Sequence, residues 1–316
     1  MLTQVLLFQV LLPLTLLLWL ALSHNRTRFK WLFKTIVVIG YLLTIHIGMT
    51  WVIVPWYLSY VLLVIAVILS ARSLAHTEGR TWFTPWTLPS TLSLLGQLSV
   101  IMIIIAANSY LLSGRYSKAQ EFADVSFPLS QGNYYAVNAG SNSVLNPNLR
   151  NLKPIPSLAA WQGMSYGVDI VKINSFGFRA RGTQPDEPQL YNIYGDQVFA
   201  PCSGTVVHTE NNQPDHKVLT EEADKNEPLG NHVLLNCDGT EILLAHLQYD
   251  SVMVAPGNKV EEGAPLGRVG NSGKTIEPCL LISAQKRMPE QPMFGGQPLE
   301  IRFDGDYLVR NDRITP

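Results

Sequence analysis

Charge is scarce in this sequence. Asp, Glu, Lys and Arg make up 15% of its 316 residues, and 23 basic groups nearly balance 24 acidic ones. A net charge of -1 offers no basic face to a phosphate backbone, so nucleic acid is excluded as an expected partner. Cysteine is also sparse: Cys202, Cys237 and Cys279 are the only three, and all lie in the second half. No Lys or Arg precedes the first apolar run, residues 1–23, and Ala21-Leu22-Ser23 only loosely approximates a small-residue cleavage site. The run therefore reads as a membrane span and not as a secretory signal, which would carry a basic leading region. Asp, Glu, Lys and Arg are missing from the depth of every later apolar run as well, which leaves no ion pathway to propose.

What the chain does have is apolar mass, 47% hydrophobic overall and concentrated before about residue 112. Run 1–23 is long enough to span a bilayer. Run 32–70 is broken near Gly48 and Pro55 and suits two spans with a tight turn, the second of them short. Run 92–112 completes four, with Trp82 and Trp86 placed as interfacial anchors. Arg26, Arg28, Lys30 and Lys34 lie between the first two spans and Arg72 and Arg80 between the last two, whereas only Arg115 and Lys118 closely follow the fourth. The positive-inside rule places the two basic loops in the cytoplasm and both chain ends outside. His46 is the one histidine within a span; a neutral ring bonded to a neighbouring helix is favoured over a functional role. The bundle reads as an anchor or an assembly surface.

Residues 113–160 are polar and rich in Ser, Asn, Gly and Pro, with few periodic runs. Two further polar loops are expected, at 176–194 and 208–229. The second carries Asp215, His216, Glu221, Glu222, Asp224 and Glu227 and reads as a solvated loop that could also rim a groove. Between 198 and 284, short aliphatic runs alternate with Gly, Asn, Asp and Pro: VFAPCSGTVV, GNHVLLNCDGTEILLAHLQ, APGNKVEEGAPLGRVGNSG, TIEPCLLISAQ. That rhythm predicts a compact antiparallel β domain. Gly257, Gly263, Gly267, Gly270 and Gly273 are expected at turns needing positive φ. Gly273-Lys274-Thr275 ends like a phosphate loop, but Arg268 stands where the first glycine is required. No lysine sits at a hairpin tip, so a lipoyl or biotinyl carrier is not indicated either.

Read in order, residues 127–285 resemble the LytM/lysostaphin-type zinc endopeptidases that cut peptidoglycan cross-bridges. The motifs that carry the resemblance are Ser165-Tyr166-Gly167-Val168-Asp169, against the family's H-x-x-x-D; Leu244-Ala245-His246-Leu247, against its histidine-bearing strand; and Cys279-Leu280-Leu281, against H-x-H. The resemblance implies the duplicated hybrid motif fold. It also implies that Asp169 is the carboxylate ligand, that His246 is a histidine flanking the metal, and that Ser165 and Leu281 replace the two ligand histidines. The lead-in segment, which in a subgroup supplies a histidine, reads Asn146-Pro147-Asn148 here. A catalytic zinc takes about three protein ligands and turns its fourth into a nucleophilic water, and one carboxylate does not hold it. Asp169, His246 and Cys279 as a substitute shell, and Cys279 with His246 as thiol and base, are alternatives; a small buried thiol is favoured over both. His232 is expected to be structural, and His208 and His216 to be loop residues. Cys202 and Cys237 end strand-like segments that are neighbours in the family, which implies a disulfide there in preference to two free thiols and leaves Cys279 over.

The expected architecture is therefore a four-helix transmembrane region (1–115), an extracytoplasmic linker and lead-in (116–160), and a mainly-β LytM-like domain (161–316). The expected role is a catalytically inactive binding, regulatory or scaffold module. It would sit in a bacterial inner membrane with its globular domain in the periplasm, its partners being the lipid bilayer and peptidoglycan or an envelope protein. The alternatives are an active zinc-dependent endopeptidase with atypical ligands, or an accessory subunit of a membrane complex. No cofactor is expected on the first reading, and zinc on the second.

Overall fold

The computed structural model describes residues 2–22, 24–219 and 227–316. Glu221, Glu222 and Asp224 of the expected acidic loop lie outside the described residues, as does Ser23 of the cleavage-like tripeptide. The chain divides into two compact units, Met1–Ser113 and Gly114–Pro316.

The first unit holds four helices long and apolar enough to cross a membrane: α1 (Leu2–Leu22), α2 (Arg28–Gly48), α3 (Tyr57–Ala75) and α4 (Leu88–Ser113). A π-helical stretch, Leu6–Leu11, interrupts α1. Pro13 lies four residues after Gln9 and has no N–H to return to its carbonyl, which removes one bond from the α-helical ladder at this point. The Gln9 side chain, buried in that stretch, donates from Nε2 to the Thr50 carbonyl at 3.0 Å. α2 and α4 approach closely at Gly40, where a Cβ would sit 2.3 Å from Ile104 Cγ2. Asn108 of α4 uses that closeness, donating to the Gly40 carbonyl at 3.1 Å and Thr44 Oγ1 at 3.0 Å. His46 Nδ1 lies 3.0 Å from Ser59 Oγ on α3, a polar neighbour of the kind expected for a histidine within the bundle.

The second unit is built on an eight-strand path in the order β12 (Arg313–Ile314), β2 (Asn133–Asn138), β3 (Val168–Ile173), β10 (Leu280–Lys286), β7 (Thr240–Leu247), β6 (Asn231–Cys237), β5 (Gly204–Glu210) and β8 (Lys259–Val260). β11 (Gln297–Phe303) pairs with the far half of β10 and, in parallel, with β1 (Phe122–Val125). β4 (Gln197–Phe199) and β9 (Pro265–Arg268) form a separate pair. β1 and β2 fall within residues 116–160, so that stretch is woven into the sheet instead of serving as a linker. Alternation sets the two faces. Val233, Leu235, Ile242, Leu244, Leu280 and Ile282 enter the main core, while Leu234, Leu243, Ala245 and Leu281 form a smaller cluster on the other face. Cys202, in the turn before β5, and Cys237, at the end of β6, are disulfide-bonded with Cα atoms 6.1 Å apart.

Two further sequence expectations need correction. His208 lies within β5 and not in a loop, so the loop begins only after Glu210. Of the five glycines, Gly257, Gly263 and Gly273 have positive φ, but Gly267 and Gly270 do not. Gly270 is needed for proximity: a Cβ there would lie 2.3 Å from Gln248 Cα.

Candidate functional site

One row of cross-strand partners organises the smaller face. Asn138 of β2 is opposite Asp169 of β3, Asp169 opposite Leu281 of β10, and Leu281 opposite Ala245 of β7. Ala245 is in turn opposite His232 of β6, and His232 opposite Glu210 of β5. Paired residues project to the same side of a sheet. The register therefore brings the aligned positions of both family motifs, Asp169 and Leu281, side by side although they are 112 positions apart.

Asp169 is held by the protein itself. Its Oδ2 accepts a 2.7 Å hydrogen bond from Asn138 Nδ2. Burial pushes its carboxyl up to about 6, while the Asn138 and Asn148 amides and the nearby Arg310 guanidinium favour the ionised form. Arg310, itself buried, donates from Nη2 to Asn138 Oδ1 at 3.0 Å, which aligns the amide whose other end serves Asp169. Burial lowers Arg310 to about 10, and the charge of Asp169 works against that shift. The ion-compensating partner in this pocket is thus a guanidinium.

The neighbouring motif positions offer no ligand. Ser165 is fully buried and spends its hydroxyl on the Gln162 carbonyl at 2.6 Å. Leu281 packs against Gly167, where a Cβ would meet Leu281 Cδ1 at 2.8 Å. Among the described residues, no three His, Cys, Asp or Glu side chains converge closely enough to share an ion. The side chains as placed do not fit a catalytic zinc.

His246 occupies a bulge of β7, at φ 65°, where the register against β6 slips between Asn231 and His232. A bulge re-aims one side chain relative to its strand. Its Nδ1 lies 3.0 Å from the Ser272 carbonyl, and burial lowers its pKa to about 4, so the ring is neutral. Ser272 reaches this position because Gly230 and Gly273, both at positive φ, let two backbones cross; a Cβ on Gly273 would lie 2.2 Å from Gly230 N. Cys279 is buried, its Sγ 3.4 Å from Thr275 Oγ1. Burial and the charge of Asp169 push its thiol well up, which suppresses the thiolate a nucleophile needs. Cys279 Sγ meets Thr275 and His246 Nδ1 meets the Ser272 carbonyl, and among the described residues no hydrogen bond joins the two side chains.

Three participants had no motif to announce them. Arg310 and Asn138 are distant from Asp169 in sequence and meet it only through the pairing of β2 with β3 and the return of the chain before β12. Asn148, noted above only for not being histidine, is a polar partner of Asp169 in its own right. Further along the row His232 is buried, burial lowers it to about 4, and its ring lies 5.2 Å from that of His208 and 5.5 Å from Phe294. Phe294 stacks on Trp161 at 5.9 Å, so the smaller face is bordered by aromatic rings.

Residues 189–293 match the family model described as Peptidase family M23. The match covers β7 with His246, Cys279 just before β10 and Leu281 within it, and begins downstream of Asp169. Among solved structures, the catalytic domain of the antimicrobial peptidase lysostaphin from Staphylococcus simulans is 19% identical, over 39% of this chain and 68% of that one, with a TM-score of 0.25. A zinc containing peptidase from Vibrio cholerae is 14% identical over 56% of this chain and 39% of that one, with a TM-score of 0.32. A complex of SpoIIIAH and SpoIIQ gives 17% identity over 55% of this chain and 95% of that one, with a TM-score of 0.33. No curated protein matches the chain.

Proposed function

We propose that the globular unit is a peptidase-fold domain without hydrolytic activity, serving as a binding, regulatory or scaffold module in the bacterial periplasm. Helices α1–α4 hold it at the inner membrane. The observation that carries this reading is the state of Asp169: amides and a buried guanidinium satisfy the carboxylate, and its flanking motif positions are Ser165 and Leu281. A face that keeps its strands, turns and aromatic border while its one matching ligand is engaged internally is better suited to holding a partner than to polarising a water. The partner would be a peptidoglycan peptide or an envelope protein.

Elemental analysis of the purified full chain, with and without added zinc, tests the reading. Far less than one equivalent of zinc is expected, unchanged in Asp169→Ala. Arg310→Met should strand the carboxylate and cost roughly 3–5 kcal/mol of stability near pH 8. Stoichiometric zinc that disappears in Asp169→Ala, together with cleavage of peptidoglycan, would replace this reading with an active enzyme of atypical ligation.

A further inference from the structure

The first unit contains a cavity of about 460 Å³ where the segment between α3 and α4 folds against the start of α2. Phe29, Trp82, Phe83 and Trp86 give it aromatic walls, Lys30 gives it one ammonium group, and no carboxylate lines it. The walls are fixed by backbone bonds. Arg28 N donates to the Thr81 carbonyl at 3.0 Å and Phe29 N to the Trp82 carbonyl at 3.2 Å. Thr87 and Ser90 cap one another at the start of α4, Thr87 N to Ser90 Oγ at 2.9 Å and Ser90 N to Thr87 Oγ1 at 3.3 Å. The Arg28 guanidinium sits 5.8 Å over the Trp82 ring, and the Phe29 and Phe83 rings are 5.4 Å apart.

Lys30 has no ion-pair partner among the described residues. The imbalance extends beyond it: Arg26, Arg28, Lys30, Lys34, Arg72 and Arg80 face a single acid, Glu78, in the first 113 positions. Trp82, Phe83 and Trp86 remain exposed, as do Leu92 and Leu95 on the adjoining first turns of α4. An occupant must therefore be anionic at one end and apolar at the other.

We propose that this cavity binds the headgroup and upper acyl chain of an anionic phospholipid from the leaflet that the basic loops face. Lys30 pairs with the phosphate. The aromatic walls take the glycerol and first methylenes, and the chain continues along α4. Paired charge and interfacial aromatics are the two elements of lipid recognition at a membrane surface. A small soluble anion would use Lys30 but leave the aromatic wall uncovered. The proposal rests on the helices crossing a membrane, and recovery of the full chain in the soluble fraction would fail that reading independently.

Native mass spectrometry of the detergent-purified full chain, incubated with phosphatidylglycerol or phosphatidylcholine of matched chains, tests it. One retained phosphatidylglycerol is expected at lipid ratios where phosphatidylcholine is lost. Lys30→Gln should weaken retention roughly fivefold, Lys30→Arg should restore it, and Trp86→Ala should weaken both lipids. Millimolar inorganic phosphate should not displace the lipid. Equal retention of the two lipids, displacement by phosphate, or full retention by a monodisperse Lys30→Gln protein would overturn the proposal. If Lys30→Gln is not monodisperse, failure of Lys30→Arg to match the wild type decides against it.

Discussion

Burial pushes the Asp169 carboxyl up to about 6 in the folded chain and lowers His232 and His246 to about 4. The directions oppose one another in stability. A histidine depressed from 6.5 contributes stability that is fully present above 6.5 and is lost as pH falls toward 4. A carboxyl raised from 3.8 loses stability as pH climbs from 3.8 toward 6. Between pH 5 and 6.5 unfolding should thus take up as many as two protons at the histidines and release protons at Asp169 and at Glu277, whose carboxyl burial also raises. The stability of the globular unit should therefore rise with pH by no more than about 1.4 kcal/mol per unit, one net proton. Asp169→Asn should steepen the slope by up to one proton, about 1.4 kcal/mol per pH unit, read from urea-unfolding midpoints at a series of pH values. An identical slope in the two proteins would mean that burial does not raise the Asp169 carboxyl. Sequence motifs identified Asp169 and His246 as residues to inspect, but their protonation depends on Arg310, Asn138 and Ser272, none of which is local to them.

At the scale of elements, β10 explains why the face exists. One of its edges runs along β7, and the other is divided between β3 near Leu281 and β11 near Ala284. β2 extends the sheet beyond β3 although its sequence, NYYAVN, is too polar at its ends to read as a strand. Its tyrosines are buried because β3 and β12 pair with it on both sides. Single-sequence periodicity cannot register that support, which is why residues 116–160 read as a lead-in. The disulfide from the turn before β5 to the end of β6 closes a loop of 35 residues. Cys202→Ala with Cys237→Ala should cost about 3–4 kcal/mol by the chain-entropy account, measured as a lowered unfolding midpoint. Reduction of the wild type should reproduce the loss, and equal midpoints in all three samples would deny the bridge an energetic role.

For the molecule as a whole, two compact units divide the work: one supplies four apolar helices and the other a sheet with one enclosed and one aromatic-bordered face. The proposed function requires the globular unit to lie outside the cytoplasm, the side that the positive-inside rule assigns to it. Reporter fusions test this directly. A periplasm-active reporter joined after Pro316 should be functional, and one joined in the loop near Arg80 should be silent, with a cytoplasm-active reporter giving the reverse. The opposite pattern would put the disulfide in a reducing compartment and remove the peptidoglycan side of the proposal.

Composition alone determined the four apolar helices, because a bilayer asks only for length and uniform hydrophobicity. The glycine and asparagine punctuation determined the β-rich half, since turns are local. Tertiary structure alone decided what Asp169 is bonded to, where the cavity beside Lys30 lies, and that His246 sits on a bulge. Each of these depends on strands or helices far apart in sequence coming into register, and register is a property of pairs that no single stretch of chain contains.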